Sequence, residues 1–289
     1  MEIESFAQWL LEEGKAPKTI ESYVTDIKGF QSYLQKRSND QTVLSRFSFV
    51  RYKEYLIKQN YAVSTINKKV NSLKVYNDFL RTKGIVDESY IQLKRDRILI
   101  AAGSEGEVTA LSDEQVEQVL FFVENQSKVS QRNKLIVYLL LYTGVRVSEL
   151  VGIKLADIDT LTSTLQVVGK GGKHREIGLR EDVLRLIQTY RKEERSESVF
   201  SDSPYLLLSQ RGKKMHRDAV RGWLANISKE IGFLLHPHLF RHTFCTRLIK
   251  KGVDLITVSK LAGHYSVNIT TKFYIQTTRE EKKEAVEKL

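Results

Sequence analysis

Apolar residues recur at helical spacing in four runs over the first hundred positions, and polar breaks separate the runs. Ile3, Phe6, Ala7, Leu10 and Leu11 mark the inward side of a helix over 2–13, which Gly14 ends. Ile20, Tyr23, Ile27, Phe30 and Leu34 mark a longer helix that Thr19 is placed to cap. The polar stretch 38–41 reads as a loop, and a third helix is expected over 48–58, with Val50, Tyr55, Leu56 and Ile57 apolar. Ser64 is the expected cap of a fourth helix, whose Ile66, Val70, Leu73, Tyr76, Phe79 and Leu80 face inward and which Gly84 closes. No strand alternation stands out before residue 100, so residues 1–100 form an all-helical module.

Residues 101–107, small, polar and glycine-containing, are the best linker in the chain, and a second domain is expected over 108–289. Ser112 and Gln115 form a capping box that opens a helix. Residues 133–142 are apolar nearly all round, as in a buried helix, and 143–150 begin the next one. Residues 164–168 and 174–179 concentrate β-formers around a glycine-rich turn, which predicts an antiparallel hairpin. A charged helix is expected over 182–194, a short strand over 205–209, and a helix from His216 to Ile231. Leu239, Phe240, Phe244, Leu248 and Ile249 then outline a helix ended by Gly252. A short helix over 254–261 breaks at Gly263-His264, a third carries Thr270, Thr271 and Tyr274, and residues 278–289 make a charged terminal helix. The fold class is therefore mainly α with a small antiparallel β-sheet.

Composition narrows the partner. Among 289 residues, 46 Lys and Arg stand against 35 Asp and Glu, a formal net charge of +11, which points to a polyanion such as nucleic acid. Cys245 is the one cysteine, so no disulfide can form within the chain. No apolar run reaches the roughly 18 residues of a transmembrane helix. The acidic, amphipathic start MEIESFAQWLLEEG is unlike a signal peptide, and the protein reads as soluble and cytoplasmic, with no membrane partner. Lys68, Lys69 and Lys74 fall among the solvent positions of the fourth helix, suited to DNA phosphates. Lys213, Lys214, Arg217 and Arg221 can lie along DNA on another face. A solvated basic surface accounts equally well for any one of the fourth-helix lysines, and is the default account of the other four residues.

The chemistry concentrates between residues 234 and 278. His238 and Arg241, three apart, share one helix face. Arginine matches a phosphate with two parallel donors, histidine moves protons near neutral pH, and tyrosine can act as a covalent nucleophile. Imidazole, guanidinium and phenol together suggest attack on a phosphodiester. Arg146, in the first turn of its expected helix, sits where a helix end favours an anion, and Glu149 can orient it. The turn 169–173 matches neither a Walker loop nor a dinucleotide fingerprint.

These elements resemble the tyrosine recombinase (phage integrase) superfamily, and in particular its Xer-like and transposon resolvase or integrase members. Its H-x-L-R-H element stands here as His238-Leu239-Phe240-Arg241-His242, with phenylalanine where leucine is usual. Leu261-Ala262-Gly263-His264 matches L-G-H with an extra alanine, and Thr270-Thr271-Lys272-Phe273-Tyr274 matches T-T-x-x-Y. Thr143-Gly144-Val145-Arg146-Val147-Ser148-Glu149-Leu150 matches T-G-x-R-x-x-E-L. The interval from His264 to the threonines is one residue longer than the Xer pattern, an extra residue assigned to the turn.

The resemblance implies an all-helical, SAM-like core-binding domain followed by an α+β catalytic domain whose terminal helix docks on a neighbouring protomer, a helix folded back on its own domain being the alternative. It implies Arg146, Lys170, His238, Arg241, His264 and the nucleophile Tyr274 as catalytic residues, with Glu149 in support. Lys170 would protonate the 5′ oxygen, and Lys173, in the same turn, is its rival. The implied partner is double-stranded DNA with paired recombination sites, bound by a homotetramer or by a paired related recombinase and associated with the nucleoid. Strand exchange would pass through a 3′-phosphotyrosine, with no metal, ATP or other cofactor. His242 is expected to be structural and His236 a loop residue. The alternatives are an inactive architectural protein, a type IB topoisomerase-like enzyme, and a metal hydrolase built on His236, His238 and His242.

Overall fold

The computed structural model of the chain describes residues 2–36, 44–99, 110–169, 172, 174–264, 270–271 and 287. Two compact units divide it, residues 1–106 and 107–289.

Among its described residues the first unit has helices and no strand: α1 (Glu2–Glu12), α2 (Pro17–Gln35), α3 (Arg46–Lys58), α4 (Val63–Thr82) and the single turn α5 (Leu93–Asp96). Two of the expected starts are corrected. α2 begins at Pro17 after an extended Ala16 with no side-chain cap, so Thr19 lies inside the helix. Proline presets the helical φ and removes one of the donors a cap would satisfy. α4 likewise begins after Ala62, and Ser64 is its second residue. α3 starts earlier than expected because Ser45 caps it, in a reciprocal box with Ser48.

Phe6, Leu10, Ile27, Phe30, Phe49, Leu56, Ile66, Leu73 and Phe79 fill one core, each ring or branched chain worth about 1.5–3 kcal/mol when fully buried. Leu11, expected inward, is exposed, as is the apolar Ile57, because each sits one position round the helix from a buried residue. Asp26, a carboxylate, is buried beside this core. It meets Lys68 Nζ at 2.9 Å and Lys69 Nζ at 3.2 Å, and accepts from Ser72 Oγ at 2.7 Å. Burial raises its pKa, but these partners overcome that and hold it below the ordinary value. Lys69 is therefore no solvent-facing lysine, and Lys74 is paired with Asp78 at 2.5 Å. Lys68 stays half exposed and, with Lys18, Tyr23, Ser64, Asn67 and Arg97, lines a groove.

The second unit holds α6 (Asp113–Asn125), α7 (Gln131–Thr143), the one-turn α8 (Val147–Leu150), β1 (Ile158–Asp159), β2 (Thr164–Val168), β3 (His174–Gly178), α9 (Glu181–Tyr190), α10 (Arg217–Ile231), α11 (Pro237–Lys250) and α12 (Leu255–Ala262). Ser112 and Gln115 cap α6 reciprocally, and residues 135–141 of α7 are all buried. The sheet is antiparallel in the order β1-β2-β3, with Leu165 opposite Ile177 and Val167 opposite Arg175. β1 was not anticipated, since two residues carry no period. The expected strand at 205–209 is instead irregular, with isolated bridges from Tyr205 to Lys154 and Ser209 to Gly212. The expected single helix over 182–194 changes to a π turn at Arg191–Arg195. Phe244 and Cys245 of α11 pack on Val258 and Ala262 of α12, which fixes the two helices that carry the site.

Candidate active site

The site begins where α7 stops. Gly144 takes a left-handed φ of +60°, and a Cβ there would lie 2.3 Å from Cδ1 of Phe244. Only glycine lets the chain turn this closely against α11. The carbonyl exposed by the turn accepts from Nη1 of Arg241 at 2.7 Å. Arg241 is 3 % exposed, yet its Nη2 finds no hydrogen-bond partner among the described residues. A buried guanidinium donor without an acceptor is costly, and such a group calls for an explanation. Burial, and then the charge of Arg146, push its pKa down to about 10, which leaves it cationic at neutral pH.

Arg146 occupies the cap position of α8 rather than its first turn, and α8 is one turn long. Little dipole acts over so short a helix. Hydrogen bonds place the charge instead. Nη1 donates to Glu149 Oε1 at 2.8 Å, Nη2 to the carbonyl of Gly263 at 2.7 Å, and the backbone N–H to Glu149 Oε2 at 2.8 Å. The guanidinium keeps one side open, with 38 % of the side chain exposed. Glu149 is buried; burial raises its pKa, but donors from Arg175 and Arg146 outweigh that and keep it ionised.

Arg175 is the member the sequence reading missed. Its Nη1 and Nη2 donate to Glu149 at 3.1 and 2.7 Å, and its Nε donates to the carbonyl of Leu261 at 2.9 Å. The signal was available in the strand alternation. Arg175 shares a face of β3 with the buried Ile177, and a cation on an inward strand face needs a partner.

His238 lies on the first turn of α11 at the solvent edge. Its Nε2 meets Nε2 of His242 at 2.8 Å, so one ring donates and the other accepts. Surrounding protein, then Arg241, push the His238 pKa down. His264 follows Gly263, whose φ of +65° ends α12, and its Nδ1 meets the buried Thr270 Oγ1 at 2.9 Å. Burial, then Arg241 and Arg146, push its pKa down to about 4, so it is neutral at pH 7. His236, expected in a loop, caps α11 through Nδ1, which accepts from the N–H of Leu239 at 3.1 Å. Among the described residues no three His, Cys, Asp or Glu side chains converge as a metal site would require.

Arg146, Glu149, His238, Arg241 and His264 are thus brought together. Three guanidiniums facing one carboxylate leave two positive charges uncompensated among these groups. Lys170, Lys173 and Tyr274 lie outside the described residues, as do the expected loop at 38–41, the linker at 101–107 and all of the terminal helix except residue 287. Away from the cluster, Arg221 pairs with Asp218 at 2.8 Å, Arg217 approaches the same carboxylate at 3.9 Å, and Lys213 approaches Asp202 at 3.7 Å. Lys214 Nζ lies 4.4 Å from the centre of the Tyr205 ring.

Residues 109–281 match the profile of the phage integrase family, and residues 3–84 that of the phage integrase N-terminal SAM-like domain. Tyrosine recombinase XerC of Staphylococcus saprophyticus is 32 % identical over 269 residues, covering 91 % of this chain and 88 % of that one. TnP I resolvase of Bacillus thuringiensis is 32 % identical over 290 residues, covering 98 % of each. The fold is shared with XerH site-specific recombinase bound to palindromic difH substrate, at TM-score 0.76 and 22 % identity, covering 94 % of this chain and 80 % of that one. It is shared equally with the Tn1549 transposon integrase in complex with transposon right end DNA, at TM-score 0.76 and 21 % identity over 100 % and 99 % of the chains. Among the described residues no helix is long and apolar enough to cross a membrane.

Proposed function

Because the chain belongs to the phage integrase family and is a site-specific tyrosine recombinase, an enzyme that cleaves and rejoins DNA strands, we propose that the cluster around Arg241 grips the scissile phosphodiester. The observation that carries this is Nη2 of Arg241, a buried cationic donor with no partner among the described residues, beside the part-exposed side chain of Arg146. A phosphate oxygen is the acceptor that Nη2 of Arg241 lacks, and two guanidiniums match two nonbridging oxygens.

The remaining roles follow the motifs. The Tyr274 oxygen attacks phosphorus, the bond from phosphorus to the 5′ oxygen breaks, and a 3′-phosphotyrosine forms. His238, neutral at pH 7, takes the tyrosine proton, while Lys170 delivers one to the departing 5′ oxygen. Lys173 is the alternative donor. A neutral His264 suits a hydrogen bond to the phosphate better than proton delivery. Attack by another 5′ hydroxyl reverses each step on a new strand, so the bond energy is kept and neither metal nor ATP is consumed. Residues 1–100 would embrace the duplex through the groove that Lys68 lines, and 108–289 would catalyse. Lys213, Lys214, Arg217 and Arg221 would follow the backbone. Two DNA sites and four protomers, joined through the terminal helix and associated with the nucleoid, complete the reading.

The test uses nicked duplexes from the DNA flanking the gene, incubated in chelator with the wild type or Tyr274→Phe. A denaturation-resistant protein–DNA adduct from the wild type alone is expected, with binding retained by both. Tight binding by both without any adduct would overturn the catalytic reading in favour of an architectural one.

A further inference from the structure

We propose that Arg175 is the positioning residue that keeps Arg146 available to the phosphate, an inference that rests on the reading of Arg146 as a phosphate ligand. Arg175 is well buried and reaches three acceptors from one planar group: both oxygens of Glu149 and the carbonyl of Leu261. Glu149 in turn holds Arg146 through Nη1 and the backbone N–H. Each carboxylate oxygen therefore serves one donor from each arginine side.

That sharing has a consequence for Arg146. A buried carboxylate with Arg146 as its sole cation would take the guanidinium in a two-on-two fork, the strongest arrangement such a pair has. The fork would pull Nη2 off the carbonyl of Gly263 and turn the open edge of Arg146 away from a bound phosphate. With Arg175 on both oxygens, Arg146 gives Glu149 a single side-chain donor and keeps its other face exposed. The third contact fixes the far side. Leu261 lies at the end of α12, two residues before the Gly263 carbonyl that Arg146 uses and three before His264. The packing there is close, since a Cβ on Gly263 would stand 2.8 Å from Nη1 of Arg175. Arg175 thus ties β3, α8 and the end of α12 into one frame. Lysine cannot replace it, because one ammonium cannot span a carboxylate and a carbonyl on opposite sides.

The experiment compares the full-length wild type with Arg175→Lys and Arg175→Gln, the amide keeping one donor for Glu149. Melting temperature, DNA affinity and single-turnover cleavage are measured on an ordinary nicked site. Cleavage is repeated on a site whose scissile 5′ oxygen is replaced by sulfur, which leaves without an acid. The expected result is a lowered but still cooperative melting transition, near-native affinity of the folded protein, and cleavage per folded molecule about 100-fold slower, the scale of a mispositioned catalytic group. The deficit should persist on the sulfur substrate, because the missing element is the grip on the nonbridging oxygens. Wild-type cleavage rates in both folded variants would overturn the inference. So would recovery on sulfur, which would make Arg175 a support for the lysine turn. A wild type that binds its site but forms no adduct would instead remove the catalytic reading itself.

Discussion

Arg195 and Arg241 are both buried guanidiniums in the second unit, 6 % and 3 % exposed, and they end differently. Arg195 leaves the π turn after α9 and spends its donors on the carbonyls of Ser201, Ser203, Tyr205 and Leu206. It staples an irregular segment whose backbone has no ladder to join. Among the described residues Arg241 donates to one carbonyl, that of Gly144, and Nη2 has no partner. Burial and charge do not separate a structural arginine from one proposed to bind phosphate. On the proposed reading the leftover donor does.

The sharpest test of that distinction removes each charge with a side chain of similar length. Arg241→Met should lower the cleavage rate about 1000-fold, as loss of a preorganised donor to transition-state charge does. Its melting temperature should hold or rise, since an unsatisfied buried cation has been removed. Arg195→Met should do the reverse, costing about 4 kcal/mol of unfolding free energy through orphaned carbonyls. Adduct formation per folded molecule should be unchanged. Equal stability losses in the two variants would erase the contrast.

Gly144→Ala probes the carbonyl that Arg241 does use. A left-handed alanine pressed into the Phe244 ring should cost about 2–3 kcal/mol in denaturant unfolding. Cleavage should fall further than that stability loss explains, because Arg241 moves with α11. A smaller effect is expected from pH. The unfolded pKa of histidine is about 6.5, and that of His264 in the fold is about 4. The folded chain therefore refuses a proton that the unfolded chain accepts. The stability contribution is complete above pH 6.5 and is lost as pH falls toward 4. His264→Gln should flatten the unfolding midpoint between pH 7 and pH 5 relative to wild type. The shifts of His236 and His238, in the same direction, leave a residual slope.

The helices and the hairpin were legible because their signals are local. The Ser112–Gln115 box, the apolar girth of α7 and the β-formers around the glycine turn each act within a few residues. The starts of α2 and α4 were misplaced for the same reason, as Thr19 and Ser64 look like caps until Pro17 and Val63 take the first turns. Arg146, Glu149 and Arg241 stood out through their motifs. Their hydrogen bonds did not, because Gly144, Leu261 and Gly263 contribute carbonyls, which no side-chain pattern records. The staple made by Arg195 was invisible too, since a long cation in a charged helix reads as solvated until its backbone partners come close.

The buried Asp26 has a bearing on how salt acts on this protein. Lys68 and Lys69 enter any count of basic residues as two cations, but they share one carboxylate that has no access to solvent. A polyanion laid in the adjoining groove therefore meets one net charge at that point. Each phosphate neutralised on a duplex releases counterions worth about 0.9 in the slope of log affinity against log salt. The pair should contribute close to one such increment rather than two. Ionic strength would then loosen the groove less than its lysines suggest, leaving more of the attachment to contacts that salt does not screen.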